Sequence, residues 1–377
     1  MQSEEIVRRE LNEKQERLVR AARDAGVQAV LLAAHHNIAW LTGGRSNRID
    51  SSREAGTARL LVTVDGRRMV LANTIEMPRI AEEVLAGLDF EAIEYPWTDD
   101  QGPAFAVDTA RRVLKSDAKI AADWPLPDTI AFEPVIARTR ALLTDAEVDR
   151  YRAFGRDAGR ILGEVCRALS PGDDEREIAR AVAHALGDLH ARGVVILVGS
   201  DERLRRYRHP VPTATRWRHV VLVACCAERD GLVVALSRIV TAGAATPELI
   251  TRTRATASVF GRLLEETRPG ASGARLYEVA AEAYAAAGFP NEELRHHQGG
   301  AIGYRAREWV AHPRSKEIVQ AQQAFAWNPS ITGTKMEDTA LVVGDRLEII
   351  TSTPDWPGIP LSGRDGTLEA SDVWRMN

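Results

Sequence analysis

Over residues 4–25 apolar positions (Ile6, Leu11, Leu18, Ala21, Ala22) recur at helical spacing among charged ones, and Gly26 follows as a stop. This pattern predicts an amphipathic helix. The short runs QAVLLA, IAWLTG, RLLVTV and RMVLA, parted by turn residues, then predict strands, with a helical EMPRIAEEVLAG after them. Strands with interleaved helices imply an α/β domain that ends near Arg140. A helical period returns over 143–169, opened by Thr144 with Asp145 and Glu147 in its first turn, where acidic side chains suit the helix dipole. A second helix, 174–192, follows the Pro171-Gly172 break. The pair opens a second domain, 141–377, behind the first at 1–140.

Further on, VVILVG reads as a buried strand, followed by the arginine-rich connection GSDERLRRYRHPVPTATRWRH. The segment HVVLVACCAERDGLVVALSRIV predicts two strands of strong β-propensity joined by a turn at 228–231. Helices are expected at 247–267 and 272–287, then strands within QAFAWNPSIT and TALVVGDRLEII before a Pro-rich tail. No internal repeat or low-complexity segment interrupts this order.

At 377 residues the chain exceeds one ordinary core. Its 49 basic and 53 acidic residues balance, so no overall field favours nucleic acid or an anionic membrane surface. No apolar run approaches the roughly 20 residues that span a bilayer, and the polar start MQSEEIVRRELNEKQERL has no signal-peptide core. A soluble, cytoplasmic protein is expected. The three cysteines, Cys166, Cys225 and Cys226, have no spacing that suggests a zinc cage or disulfide framework.

Candidate chemistry concentrates in HHQGGAIGYRAREW, residues 296–309. Glycines beside titratable side chains fit either a pocket wall or a tight turn with a solvated charged end. His209, between Arg208 and Pro210, is expected in extended, locally fixed backbone. Arg45, Arg48 and Arg53 lie in the polar connection GGRSNRIDSSREAG, as a binding loop or as solvated arginines.

With these elements in order, the chain resembles the pita-bread superfamily, which contains methionine aminopeptidase, aminopeptidase P, prolidase and creatinase. The features that carry the resemblance are the helix pair, the His-Pro loop, the two-strand ribbon, the Gly-rich histidine strand and the terminal Glu-Asp-Thr strand. It implies an α/β (α+β) fold: a creatinase-type N-terminal α/β domain followed by a C-terminal pita-bread domain. The peptidase members hold two divalent ions with two aspartates, a histidine and two glutamates. On that pattern the aspartates fall at Ala224 and Ala235, the histidine at Gly300 and one glutamate at Asn328, leaving only Glu337. One carboxylate is far short of a divalent ion's needs. No metal and no other cofactor is therefore expected.

Creatinase, which cleaves a guanidino C–N bond without a metal, is the precedent the resemblance supplies. It carries an acid/base role onto His209, with Glu337 holding a cationic part of the substrate or a proton in transit. Arg208, Gln298, Arg307, Glu308, Asn328 and Lys335 are expected around the substrate, and His297, ahead of His296, is expected to face it, because successive strand residues face opposite sides. Glu337 is alternatively a simple partner of Lys335, and Gln298 and Asn328 are alternatively buried amides satisfying backbone. Cys225 is a nucleophile or a core thiol, with core packing the plainer reading. Ser237 and Arg238 keep a structural role. By analogy with creatinase, one of Arg45, Arg48 and Arg53 reaches across a homodimer, with Arg48 and Arg53 placed among the substrate-binding residues. The function implied is metal-independent hydrolysis of a C–N bond in a small-molecule substrate. The alternatives are an inactive ligand- or protein-binding module, and an Xaa-Pro peptidase with displaced ligands.

Overall fold

The computed structural model describes residues 4–99, 102–115, 117–361 and 368–376, in two compact units that divide between Ala146 and Glu147. In the first unit, α1 (Glu4–Asp24) buries Leu11, Leu18 and Ala22. A six-stranded sheet has the order β4-β3-β2-β1-β5-β6, from β1 (Ala29–Ala34), β2 (Ala55–Thr63), β3 (Arg68–Asn73), β4 (Glu91–Tyr95), β5 (Ile120–Ala122) and β6 (Ile130–Ala131). Its central hairpins are antiparallel, and the β3–β4, β1–β5 and β5–β6 pairs are parallel.

One expected strand is a helix. The run IAWLTG falls largely in α2 (His35–Leu41), which follows β1 without a loop. Buried Asp123 explains the switch: its carboxylate accepts from Ala33 N–H, Ala34 N–H and the Asn37 side chain, satisfying donors at the helix start. An apolar run this short does not separate helix from strand by period alone.

The second unit begins with α5 (Asp145–Arg167), preceded in the chain by α3 (Pro103–Leu114) and α4 (Glu133–Arg140). Gly155, Gly159 and Gly163 recur every four residues and so share one face of α5. A Cβ on Gly159 would lie 2.3 Å from the Ser352 carbonyl oxygen, and one on Gly163 would lie 2.1 Å from Thr353 Cγ2. The glycines thus let the 350–353 backbone press against the helix, and Thr353 Oγ1 donates to the Gly159 carbonyl at 2.7 Å. Next, α6 (Glu175–Asp188) opens with a reciprocal capping box between Asp174 and Glu177.

Two sheets carry the rest. The first has the order β19-β9-β8-β7, from β7 (Arg192–Ser200), β8 (Val220–Arg229), β9 (Leu232–Ala242) and β19 (Val373–Met376). The second has the order β11-β10-β12-β15-β16, from β10 (Gly299–Ile302), β11 (Trp309–Val310), β12 (Gln323–Trp327), β15 (Asp338–Val343) and β16 (Arg346–Ile349), and two short ribbons pair β13 (Ser330–Ile331) with β14 (Thr334–Lys335) and β17 (Gly358–Leu361) with β18 (Leu368–Ser371). Thr339 Oγ1 ties the two sheets together, accepting from Ala235 N–H at 2.8 Å and donating to Ala235 O at 2.9 Å. Val233 N–H also donates to Gly303 O, and Ser237 N–H to Glu337 O. Behind the second sheet, helices Pro247–Glu266 and Gly273–Ala286 pack Phe260, Leu263, Leu276 and Tyr284 against Phe325 and Trp327. Burial of such large side chains contributes about 1.5–3 kcal/mol each and fixes the sheet as a rigid floor.

Candidate active site

Glu337 sits just ahead of β15, fully enclosed, with its two carboxylate oxygens divided between two cations. Lys335 Nζ lies 2.6 Å from one oxygen and Arg307 Nη2 donates to the other at 2.9 Å. Burial alone would raise the carboxyl, but Lys335 and then Arg307 outweigh it and hold Glu337 at about 2. The Lys335–Glu337 pairing anticipated as an alternative is therefore present, with Arg307 added to it.

Beside this group stand three imidazoles. His209 Nε2 and His296 Nε2 are 2.9 Å apart, in a hydrogen bond whose donor depends on tautomer. His297 stacks on His296, with ring centroids 4.6 Å apart. Partial desolvation, then the Lys335 charge, lowers His209 from its ordinary value. Burial, then Lys335, takes His296 to about 2, and partial desolvation, then Arg307, takes His297 to about 4. Each shift favours the neutral ring at pH 7.

The structure brings both histidines beside His209, where one alone was expected. His296 is the enclosed ring that bonds His209, whereas His297 is exposed. Both residues precede β10 in irregular backbone, so the strand alternation behind that expectation does not apply.

The remaining expected residues divide into engaged and open groups. Gln298 is a buried structural amide: its Oε1 accepts from Tyr284 Oη at 2.8 Å and its Nε2 donates to His296 O. Arg208 is held by Ser330 Oγ, Thr332 Oγ1 and Glu292. Glu308 accepts from Tyr304 N–H. These three support the site rather than present free groups. In contrast, Asn328 Oδ1, Arg307 Nε, His296 Nδ1 and Ser237 Oγ are buried without a hydrogen-bond partner among the described residues. Ser237 was read as structural; its backbone is, but its hydroxyl joins the open set. Its neighbour Arg238 forms a buried pair with Asp338.

Cys225 is enclosed in the ribbon and burial drives its thiol pKa upward, which suits the core-packing reading. Its neighbour Cys226 has Glu337, Arg307 and Lys335 as its charged neighbours and, chiefly through burial, is pushed up to about 11. Within the first unit, Arg45 is fixed by the carbonyls of Val84 and Ala86. Arg48 is half-buried, and Arg53 is exposed beside Asp50.

The residues at the resemblance's ligand positions do not fit a pair of divalent ions. Ala224 and Ala235 offer no donor atom and are buried in the ribbon. Gly300 does not leave room there either: a Cβ would lie 2.1 Å from the Trp309 carbonyl oxygen, because β11 closes on that face. Asn328 is an amide, and Glu337 is already neutralised by side chains.

Residues 149–347 match the profile of Metallopeptidase family M24, and residues 14–151 that of the Creatinase/Prolidase N-terminal domain. The chain belongs to family M24. This makes it a hydrolase of the peptidase type by family, with the mixed α/β architecture and pita-bread domain expected. The probable dipeptidase PepE of Mycobacterium tuberculosis is 22% identical over 366 residues, covering 89% of this chain and 92% of that protein. The crystal structure of dipeptidase PepE from Mycobacterium ulcerans superposes with a TM-score of 0.76 at 18% identity, covering 92% and 97% of the two chains. Prolidase from Pyrococcus horikoshii gives 0.76 at 17% identity, covering 90% and 98%. The N-terminal domain of a FACT complex subunit from chickpea gives 0.66 at 13% identity, covering 91% and 96%. No helix of the described residues is long and apolar enough to cross a membrane.

Proposed function

We propose that this M24 protein is a metal-independent hydrolase that breaks a C–N bond of a small polar metabolite by general acid/base catalysis at His209, in the manner of creatinase. The observation that carries the reading is the Lys335–Glu337–Arg307 cluster beside a neutral His209–His296 pair. Two side-chain cations supply the positive charge at the surviving carboxylate, so an oxyanion forming nearby has donors already aimed and fixed.

With His209 donating Nε2–H to His296, the Nδ1 lone pair of His209 is the base. It takes a proton from water as the oxygen attacks the carbon, then returns that proton to the departing nitrogen as the C–N bond breaks. His296 orients the ring, as a third group orients the histidine in other acid/base systems. The open polar atoms of Asn328, Ser237, Arg307 and His296 supply acceptors and donors for a polar ligand, which would remove their desolvation penalty. A homodimer in which Arg48 or Arg53 of one protomer anchors a substrate acid group of its partner completes the proposal.

Dipeptide cleavage, as the names of the relatives would suggest, is the competing reading, and it lacks the ligands that bridged ions need. An inert binding module is the third. Turnover of a panel of guanidino, amidino, ureido and N-acyl compounds, unaffected by chelator and lost in His209→Ala, supports the proposal. Chelator-sensitive hydrolysis of dipeptides would replace it with the peptidase reading, and ligand binding without turnover would replace it with the binding module.

A further inference from the structure

We propose that His209, His296 and His297 together bind one divalent first-row transition ion, Zn²⁺ or Cu²⁺, at a position separate from the Ala224, Ala235, Gly300, Asn328 and Glu337 set. One ring nitrogen from each histidine lies within 4.8 Å of the other two. With metal–nitrogen bonds of about 2.0–2.1 Å, tetrahedral geometry needs nitrogens roughly 3.4 Å apart. The His209–His296 edge, at 2.9 Å, must open by about half an ångström, and the wider edges must close. His209 and His297 are exposed and can rotate, while His296 is 8% exposed and anchored.

The buried His296 ring makes its one hydrogen bond through Nε2 to another ring nitrogen, and an ion at that edge would replace the shared proton while Nδ1 keeps its N–H. Three nitrogen donors without a carboxylate select borderline ions over Mg²⁺, Ca²⁺ or Mn²⁺, which prefer oxygen. Lys335 and Arg307 oppose a cation here, and Glu337 offsets only part of their charge. Affinity therefore rests on nitrogen coordination rather than on field, which favours Cu²⁺ and Zn²⁺ at the strong end of the divalent series. Each ring donates one lone pair, no electron is transferred, and a fourth position stays open to water.

Coordination through His209 Nε2 puts that ring's proton on Nδ1, the atom that acts as base, so the bound ion inhibits. That consequence rests on the proposed function; the binding does not.

The test reads binding without substrate. The full chain is titrated with Cu²⁺ and followed by electron paramagnetic resonance for nitrogen coupling, and with Co²⁺ for ligand-field absorption. One ion per chain with nitrogen coupling is expected, and His297→Ala, an exposed position that leaves the core intact, should weaken it at least about tenfold. Glu337→Gln, which removes that partial offset, should weaken binding yet leave the nitrogen-coupled signal in place at saturating Cu²⁺. Absence of a signal saturating at one ion, or a signal indifferent to substitution of His209, His296 and His297, would overturn the site. Loss of the signal in a folded Glu337→Gln protein would assign the ion to the carboxylate centre instead. Binding without inhibition would leave this site standing and count against the base assigned to His209.

Discussion

Lys335 and Glu337, two positions apart in the chain, form an enclosed ion pair at 2.6 Å, with Lys335 7% and Glu337 3% exposed. Removing one member of such a pair leaves an uncompensated charge out of water, at a cost of about 3–5 kcal/mol. Glu337→Gln should therefore lower unfolding stability by roughly 3 kcal/mol, read as a shifted denaturant midpoint at constant slope. Lys335→Met combined with Glu337→Leu should recover most of that loss. A double variant as unstable as the single one would show that the pair is not what holds this corner.

The same carboxylate gives a pH signature. Its folded-state pKa, at about 2, lies below the unfolded value of about 4.3, so its contribution is complete above pH 4.3 and is lost as pH falls toward 2. Acid titration followed by circular dichroism should show this loss in the wild type, and Glu337→Gln should flatten that part of the curve. Parallel acid curves for the two proteins would contradict the assignment.

Much of this arrangement was legible in the residues. The Gly-rich run, the His-Pro loop and the Glu-Asp-Thr strand marked the places from which His209, His296, Arg307 and Glu337 come. Local pattern cannot show which partners a side chain meets. Arg208 and Gln298 looked like free donors, yet Glu292, 84 positions away, engages the Arg208 guanidinium, and the His296 carbonyl engages the Gln298 amide nitrogen while Tyr284 donates to its oxygen. Nor could strand alternation order the two histidines, since their backbone is not strand. The α2 helix was hidden because the group that satisfies its start, Asp123, lies nearly 90 residues away. The glycine stripe of α5 was visible at four-residue spacing, and its meaning needed the 350–353 segment pressed against it.

Gly300 shows how a missing side chain differs from an empty space. Its Cβ direction runs into the Trp309 carbonyl oxygen at 2.1 Å and Val310 Cα at 2.9 Å, both backbone atoms of a paired strand. Gly300→Ala should therefore destabilise by about 1–3 kcal/mol, the usual cost of forcing volume into a packed region. Restoring a ligand set by Ala224→Asp, Ala235→Asp and Gly300→His should yield neither a tight two-metal centre nor peptidase activity. Two chelatable ions per chain in that triple variant would show that β11 yields more readily than its pairing implies.

If His209 handles the proton as proposed and His296 only orients it, the two should separate in kinetics. His209→Ala should reduce kcat by about 10²- to 10⁴-fold, the usual contribution of a positioned acid/base group. His296→Gln keeps a hydrogen-bonding group near Nε2 of His209, so it should cost less and chiefly move the acid limb of the kcat/KM profile, which reports the free enzyme's base. Because burial and Lys335 lower His209, activity should persist below the ordinary histidine range before falling as the base protonates. A His296 variant with unchanged rate and unchanged acid limb would reduce that residue to packing.

Arg45, Arg48 and Arg53 share one connection and make three different predictions. Arg45 donates to the carbonyls of Val84 at 3.0 Å and Ala86 at 2.7 Å, so Arg45→Ala should lower the stability of the first unit by about 1–3 kcal/mol and leave unsatisfied carbonyls behind. Arg53, with a side chain 77% exposed and paired with Asp50 at 3.4 Å, has little to lose in folding. If it or half-buried Arg48 anchors a substrate carboxylate, its alanine variant should raise KM while kcat stays near wild type, the mark of binding shared by ground and transition states. A dimer contribution adds a stricter check: mixing an Arg53→Ala protein with a His209→Ala protein should restore activity at one shared site per heterodimer. Unchanged KM in both Arg48→Ala and Arg53→Ala, with no recovery on mixing, would remove this loop from substrate binding and leave the second unit to hold the substrate by itself.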